Sequence, residues 1–158
     1  MTRRTAVHVA AIGTLAGLAG GLAEIVWIWT YAALTNSDAS ILARSVTDTM
    51  QFRQSISPVL SGVGIHMALA VFLGIAVAIA MRSAADDLQG IRLYAAVTAA
   101  LVVVWAVNFF VVLPIINPQF VAVVPYTVSF VSKVLFGVAA AGTLQAARGM
   151  RASRDVHA

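Results

Sequence analysis

The chain contains no cysteine. That excludes structural disulfides, thiolate metal sites and cysteine nucleophiles. Charge is nearly as scarce, at 10% of 158 residues against 61% hydrophobic, where a soluble domain carries about 25% charged and about 45–50% apolar residues. A soluble fold of this size has too little interior to hide so much apolar surface. Also missing are a G-x-S-x-G elbow, an H-E-x-x-H pair and a phosphate-binding glycine loop, so nothing in the sequence asks for catalysis. There is no long-period repeat and no low-complexity linker.

What is present is a set of apolar runs, each long enough to cross a hydrocarbon core, which takes about 20 helical residues. They cover about 6–34, 58–81, 93–113 and 125–145. The first run follows Arg3 and Arg4 but is too long for a signal h-region and lacks a small-residue cleavage site, so it reads as a retained helix. Pro58 suits the first turn of the second run, Arg82 stops it, and Pro114 ends the third. The expected fold is a four-helix transmembrane bundle, all-α, filling residues 1–158 as a single domain.

The net charge of +4 raises the question of nucleic acid, but the arginines sit beside apolar runs and not along a polar face. No nucleic-acid partner is expected; the bilayer is the first partner. Arg3, Arg4, Arg82, Arg92, Arg148, Arg151 and Arg154 share one side of a four-span topology, with only Arg44 and Arg53 on the other. The positive-inside rule then puts both termini in the cytoplasm, in a bacterial-type inner membrane. In the first outer loop, 35–57, Ile41, Leu42, Val46 and Met50 recur at helical spacing after a Ser37 or Asp38 cap, which predicts a short amphipathic surface helix. The second, 114–125, reads as a tight turn with a kinked or interfacial helix start, and the inner loop 83–92, with Asp86 and Asp87, as a solvated link.

Each span carries one strongly polar residue in its outer half: Glu24, His66, Asn108 and Lys133. Counted inward at about 1.5 Å per residue, all four lie roughly 9–15 Å below the outer surface, at one depth. Gly13, Gly17, Gly21 and Glu24 share a stripe, as do Gly62, His66, Ala70 and Gly74 on the second helix. Tyr126, Ser129, Lys133, Gly137 and Ala141 do the same on the fourth. Small residues at this spacing let helices approach closely, which turns the three polar groups toward helix contacts. Asn108, with Trp105 one turn before it, has no such stripe. A charge facing hydrocarbon costs at least about 2.5–3.5 kcal/mol, so Glu24 and Lys133 are expected to pair or to line water.

Several uses of that layer stay open. With water present, Glu24 and His66 can exchange protons in the transport of an ion or small solute. Without it, the pair fixes the register of the bundle. His66 is the one sensible axial ligand if a haem is held, because His8 lies on the opposite face and His157 in the tail. A divalent metal is disfavoured by Lys133, and no cofactor is otherwise indicated. Trp27, Trp29, Tyr31 and Tyr126 mark the outer interface as an aromatic belt, although Trp27 and Tyr31 share the face of Glu24.

The run Gly17-Leu-Ala-Gly20-Gly21 leading to Glu24, then Gly62 to His66, then a third span ending at Pro114 resembles the YagU-like small bacterial inner-membrane proteins. The resemblance implies four spans and a role connected with acid tolerance; the outer loop and the fourth span, with Lys133, fall outside it. Proton-linked transport is the leading expectation, and a non-catalytic subunit or anchor of a larger membrane complex is the alternative. A homo-oligomer or a membrane-complex partner is expected in either case.

Overall fold

A computed structural model of the chain describes residues 3–41, 44, 57–83 and 88–156. Its elements are α1 (Arg3–Thr35), α2 (Pro58–Ser83), α3 (Ile91–Val107), a π-helical turn (Asn108–Val112), α4 (Leu113–Ile116), α5 (Pro118–Val123) and α6 (Tyr126–Val156). Four helical stretches are long and apolar enough to cross a membrane: Thr5–Thr35, Pro58–Arg82, Ile91–Ile116 and Tyr126–Met150. The protein is thus an all-helical, multi-pass membrane protein. Helices are what apolar runs of this length must form in lipid, where each backbone N–H and C=O needs a partner inside its own segment. The outward faces agree: Trp29, Leu60, Phe72, Ile91, Val103 and Ile115 are all well exposed. In water such a surface would aggregate; in a bilayer it meets acyl chains.

The helices do not close into a ring. α1 packs against α2 on one side and α6 on the other, and α3 packs on α6, so the order of contact is α2, α1, α6, α3. Among the described residues neither α2 nor α3 has a second extensive helix partner. Glycine sets the first of these contacts. A Cβ on Gly17 would overlap the Ala70 carbonyl and the Val71 Cα, and one on Gly74 would overlap the backbone of Gly13 and Gly17. The small-residue stripes on α1 and α2 therefore face each other. On the other side of α1, Gly20 lies flat against the Phe136 ring. The core continues through Ala16, Ala140 and Ala141 to Leu93, Val97 and Leu101 on α3.

Helix ends follow from local chemistry. Asn36 adopts a left-handed conformation (φ 51°), and the Ser37 N–H reaches back to the Ala32 carbonyl at 3.0 Å. This is the Schellman closure, with asparagine in the place glycine usually takes. Beyond it, Asp38 accepts from the Ser40 N–H and Oγ, both at 2.8 Å, and Ser40, Ile41 and Arg44 are helical. Leu42, Val46 and Met50, on which the predicted surface helix rests, lie outside the described residues, as do Asp86 and Asp87.

The third span runs past Pro114 to Ile116. Proline has no N–H and crowds the carbonyl four residues back. The chain meets this by widening into the π turn just before it, where the Leu113 N–H donates to the Asn108 carbonyl. Asn117 then caps α5 by accepting from the Phe120 N–H at 3.0 Å.

Candidate functional site: a buried carboxylate between three helices

Glu24 is 4% exposed on α1, one of the two inner helices of the contact order. Its backbone position follows from the glycine stripe: a residue seven beyond Gly17 lies two turns further along the face that meets α2. From α6, Lys133 Nζ approaches Glu24 Oε1 at 2.8 Å, and the Ser132 hydroxyl donates to the same oxygen at 2.9 Å. From α2, His66 Nε2 lies 3.5 Å from Oε2. That separation is within ion-pair reach but outside hydrogen-bond geometry, and the buried Nε2 has no hydrogen-bond partner among the described residues. One carboxylate thus has a saturated oxygen facing α6 and an open one facing α2.

The neighbours differ in how tightly they are held. Lys133, with 19% of its side chain exposed, carries its ammonium 5.0 Å from the centre of the Phe136 ring, a second favourable site for the charge. His66 is 34% exposed, so its ring spans from the carboxylate to the outer face of α2. Just outside Glu24, the Trp27 indole N–H donates to the Val128 carbonyl at 3.0 Å, tying α1 to the start of α6. Trp27 packs beside Tyr31 (centroids 6.3 Å apart), whereas Trp29 stays exposed as a belt residue does.

Asn108 does not join this layer; it is exposed. The buried face of the third span runs Leu93, Val97, Leu101 and Phe109. Asn108 sits one residue short of that register, at the start of the π turn. The contact between the third span and α6 at this level is aromatic. The Trp105 indole donates to Ser129 Oγ at 2.9 Å and its ring packs on Phe109 and Phe130, while Phe110 stacks on Tyr126.

On α6 the buried positions are Val128, Ser132, Phe136, Gly137, Ala140, Ala141 and Leu144; within the stripe read from the sequence, Ser129 meets Trp105 and Gly137 meets Thr98. The stripe read from the sequence is therefore the face toward α3, and Lys133 reaches Glu24 from it along its flexible stem. Ser132 escaped the sequence reading because serine is unremarkable in a membrane helix. Its place in the four-residue series Val128, Ser132, Phe136, Ala140 was the available signal.

Chemically the site can hold and move protons and can exchange partners on one carboxylate. A haem iron at His66 Nε2 would have to displace the Glu24 carboxylate. A divalent cation would meet the Lys133 ammonium, and no group of three His, Asp or Glu suited to a metal occurs among the described residues. No family model, curated protein or solved structure matches the chain. The likeness to the YagU-like proteins rests on the residues quoted for it alone.

Proposed function

We propose that the protein is a small transporter that couples movement of an ion or small solute to protons, with Glu24 as the exchanging group. The observation that carries this is the asymmetry of the carboxylate. Oε1 is held by Lys133 and Ser132, while Oε2 faces a buried, unbonded imidazole nitrogen 3.5 Å away. A proton on His66 makes Nε2 a charged donor, and a closure of about 0.6–0.8 Å then forms a charge-assisted bond. Glu24 would divide its charge between α2 and α6, and Lys133 would be freed toward Phe136 or toward an anionic solute. Histidine is the side chain suited to such a switch near neutral pH. The arginine distribution supports both termini on the cytoplasmic side, which places this layer nearer the outer surface.

The test is reconstitution of the purified protein in liposomes containing a pH-sensitive dye, with an imposed potassium diffusion potential. Proton flux above protein-free vesicles is expected, abolished by Glu24→Gln and strongly reduced by His66→Ala. Flux equal to empty vesicles under every imposed ion and pH gradient would overturn the reading.

A second reading has its own observation. Asn108 is exposed on a membrane-spanning helix, and α2 and α3 each lean on one neighbour. A polar side chain facing lipid gains from an interhelical hydrogen bond, which fits a subunit docking through α3. Stable co-purifying chains whose retention requires Asn108 would favour it.

A further inference from the structure

The end of the bundle opposite Glu24 holds a second, unrelated feature. A cavity of about 150 Å³ opens between the start of α1, the end of α2 and the end of α6. Val9, Ile12, Ala78 and Leu144 contribute its apolar wall, and Arg82 and Arg148 stand at its rim. We infer that it binds one anionic phospholipid, with the phosphate between the two guanidinium groups and the first part of an acyl chain against the apolar wall.

Arg148 is already positioned: its guanidinium donates to the Leu88 carbonyl at 2.6 Å, which fixes its plane and leaves further N–H groups unspent. Arg82 is in the last turn of α2 and exposed. Neither is ion-paired among the described residues. The described carboxylate side chains, Glu24 and Asp38, lie toward the other end of the protein. Two guanidinium groups with no carboxylate partner among the described residues suit a phosphodiester, whose oxygens accept from the planar fork.

Depth selects a lipid over a free anion. Arg82 closes one membrane-spanning stretch and Arg148 lies two residues from the end of another, so the rim is at the level where hydrocarbon meets headgroups. A free phosphate would use the rim and leave the apolar wall unfilled. An apolar cavity of this volume accepts a group about the size of benzene, comparable to a short stretch of acyl chain. Basic pockets between transmembrane helices take anionic headgroups by the same physics.

The experiment is lipid retention by the full chain, purified in mild detergent and supplied with equal phosphatidylglycerol and phosphatidylcholine, read by native mass spectrometry. One phosphatidylglycerol should be retained in preference, by about fivefold for each arginine, the scale of one basic side chain's attraction to an anionic lipid surface. Arg82→Gln should lower the preference about fivefold and Arg82→Gln with Arg148→Gln should erase it. Ala147→Leu, which narrows the cavity without touching charge, should reduce retention at unchanged melting temperature. Arg148→Gln also removes the Leu88 contact, so if the double variant does not fold, Arg82→Gln and Ala147→Leu carry the test. Equal retention of the two lipids, selectivity that survives Arg82→Gln, or displacement of the lipid by glycerol phosphate at equal concentration would overturn the assignment.

Discussion

Removing either member of the Glu24–Lys133 pair should cost more than removing both. The carboxylate is buried and its closest partner is 2.8 Å away, the situation in which deleting one charge strands the other at about 3–5 kcal/mol, while replacing both is often near neutral. The surroundings refine that range. Glu24→Gln leaves an ammonium that is partly exposed and already rests against Phe136, so its loss should fall at the lower end, about 3 kcal/mol. Lys133→Met leaves a carboxylate with only the Ser132 hydroxyl on Oε1 and His66 across the gap. This variant should lose about 3–5 kcal/mol. In the double variant the amide oxygen introduced by Glu24→Gln still accepts from Ser132, and the loss should be about 1–2 kcal/mol, a coupling of about 5 kcal/mol. Unfolding in mixed micelles, followed by tryptophan fluorescence, measures all four corners of the cycle. Additive losses would refute the pairing as an energetic unit.

Gly17→Leu should prevent α1 and α2 from closing, because even a methyl group there meets the Ala70 carbonyl; overpacking of about 1–3 kcal/mol or more is expected, read as loss of monodisperse protein. Gly64→Ala is the matched control: a Cβ there meets nothing within 4 Å, and the variant should gain up to about 1 kcal/mol in the same unfolding assay. Reporters active only in the cytoplasm, fused to either terminus, should both give signal; a silent terminus would refute the orientation drawn from the arginines. The Asp38 carboxyl is held below the usual carboxylate range by the Ser40 hydroxyl, then by the Ser40 N–H and the charge of Arg44. Its folded value lies below its unfolded one, so its contribution is full above the usual range and is lost as pH falls through the lowered value. Amide exchange at Ser40 should therefore accelerate at acid pH in the parent and be pH-insensitive, beyond intrinsic exchange, in Asp38→Ala.

The four spans were legible because hydrocarbon imposes a length and a composition on any segment that crosses it, and the Gly13–Gly17 and Gly74 faces were legible because only small residues tolerate backbone contact. Lys133 could be named as a partner from the cost of leaving it alone, and Ser129, Gly137 and Ala141 of its stripe are packed against other helices. Ser132 could not, because it lies one position off that stripe and its hydroxyl gives no pattern of its own. Asn108 could not be placed by counting depth, because it has no small-residue stripe to fix its face and the buried register continues instead through Phe109. The contact order α2, α1, α6, α3 was also hidden, because each stripe declares that a helix is close without saying which one.

That contact order has a consequence for synthesis. Glu24 enters the membrane first, and the groups that saturate its carboxylate come from the last helix, with Ser132 108 residues further along the chain. Throughout the interval α1 and α2 can pair through their glycines, and in that hairpin His66 is the one side chain of the final site available to the carboxylate. A nascent chain halted before α6 thus carries an acid in lipid with an interim partner alone, at a cost of about 2.5–3.5 kcal/mol if that partner is lost. The contacts that saturate Oε1 can form only once α6 is in place.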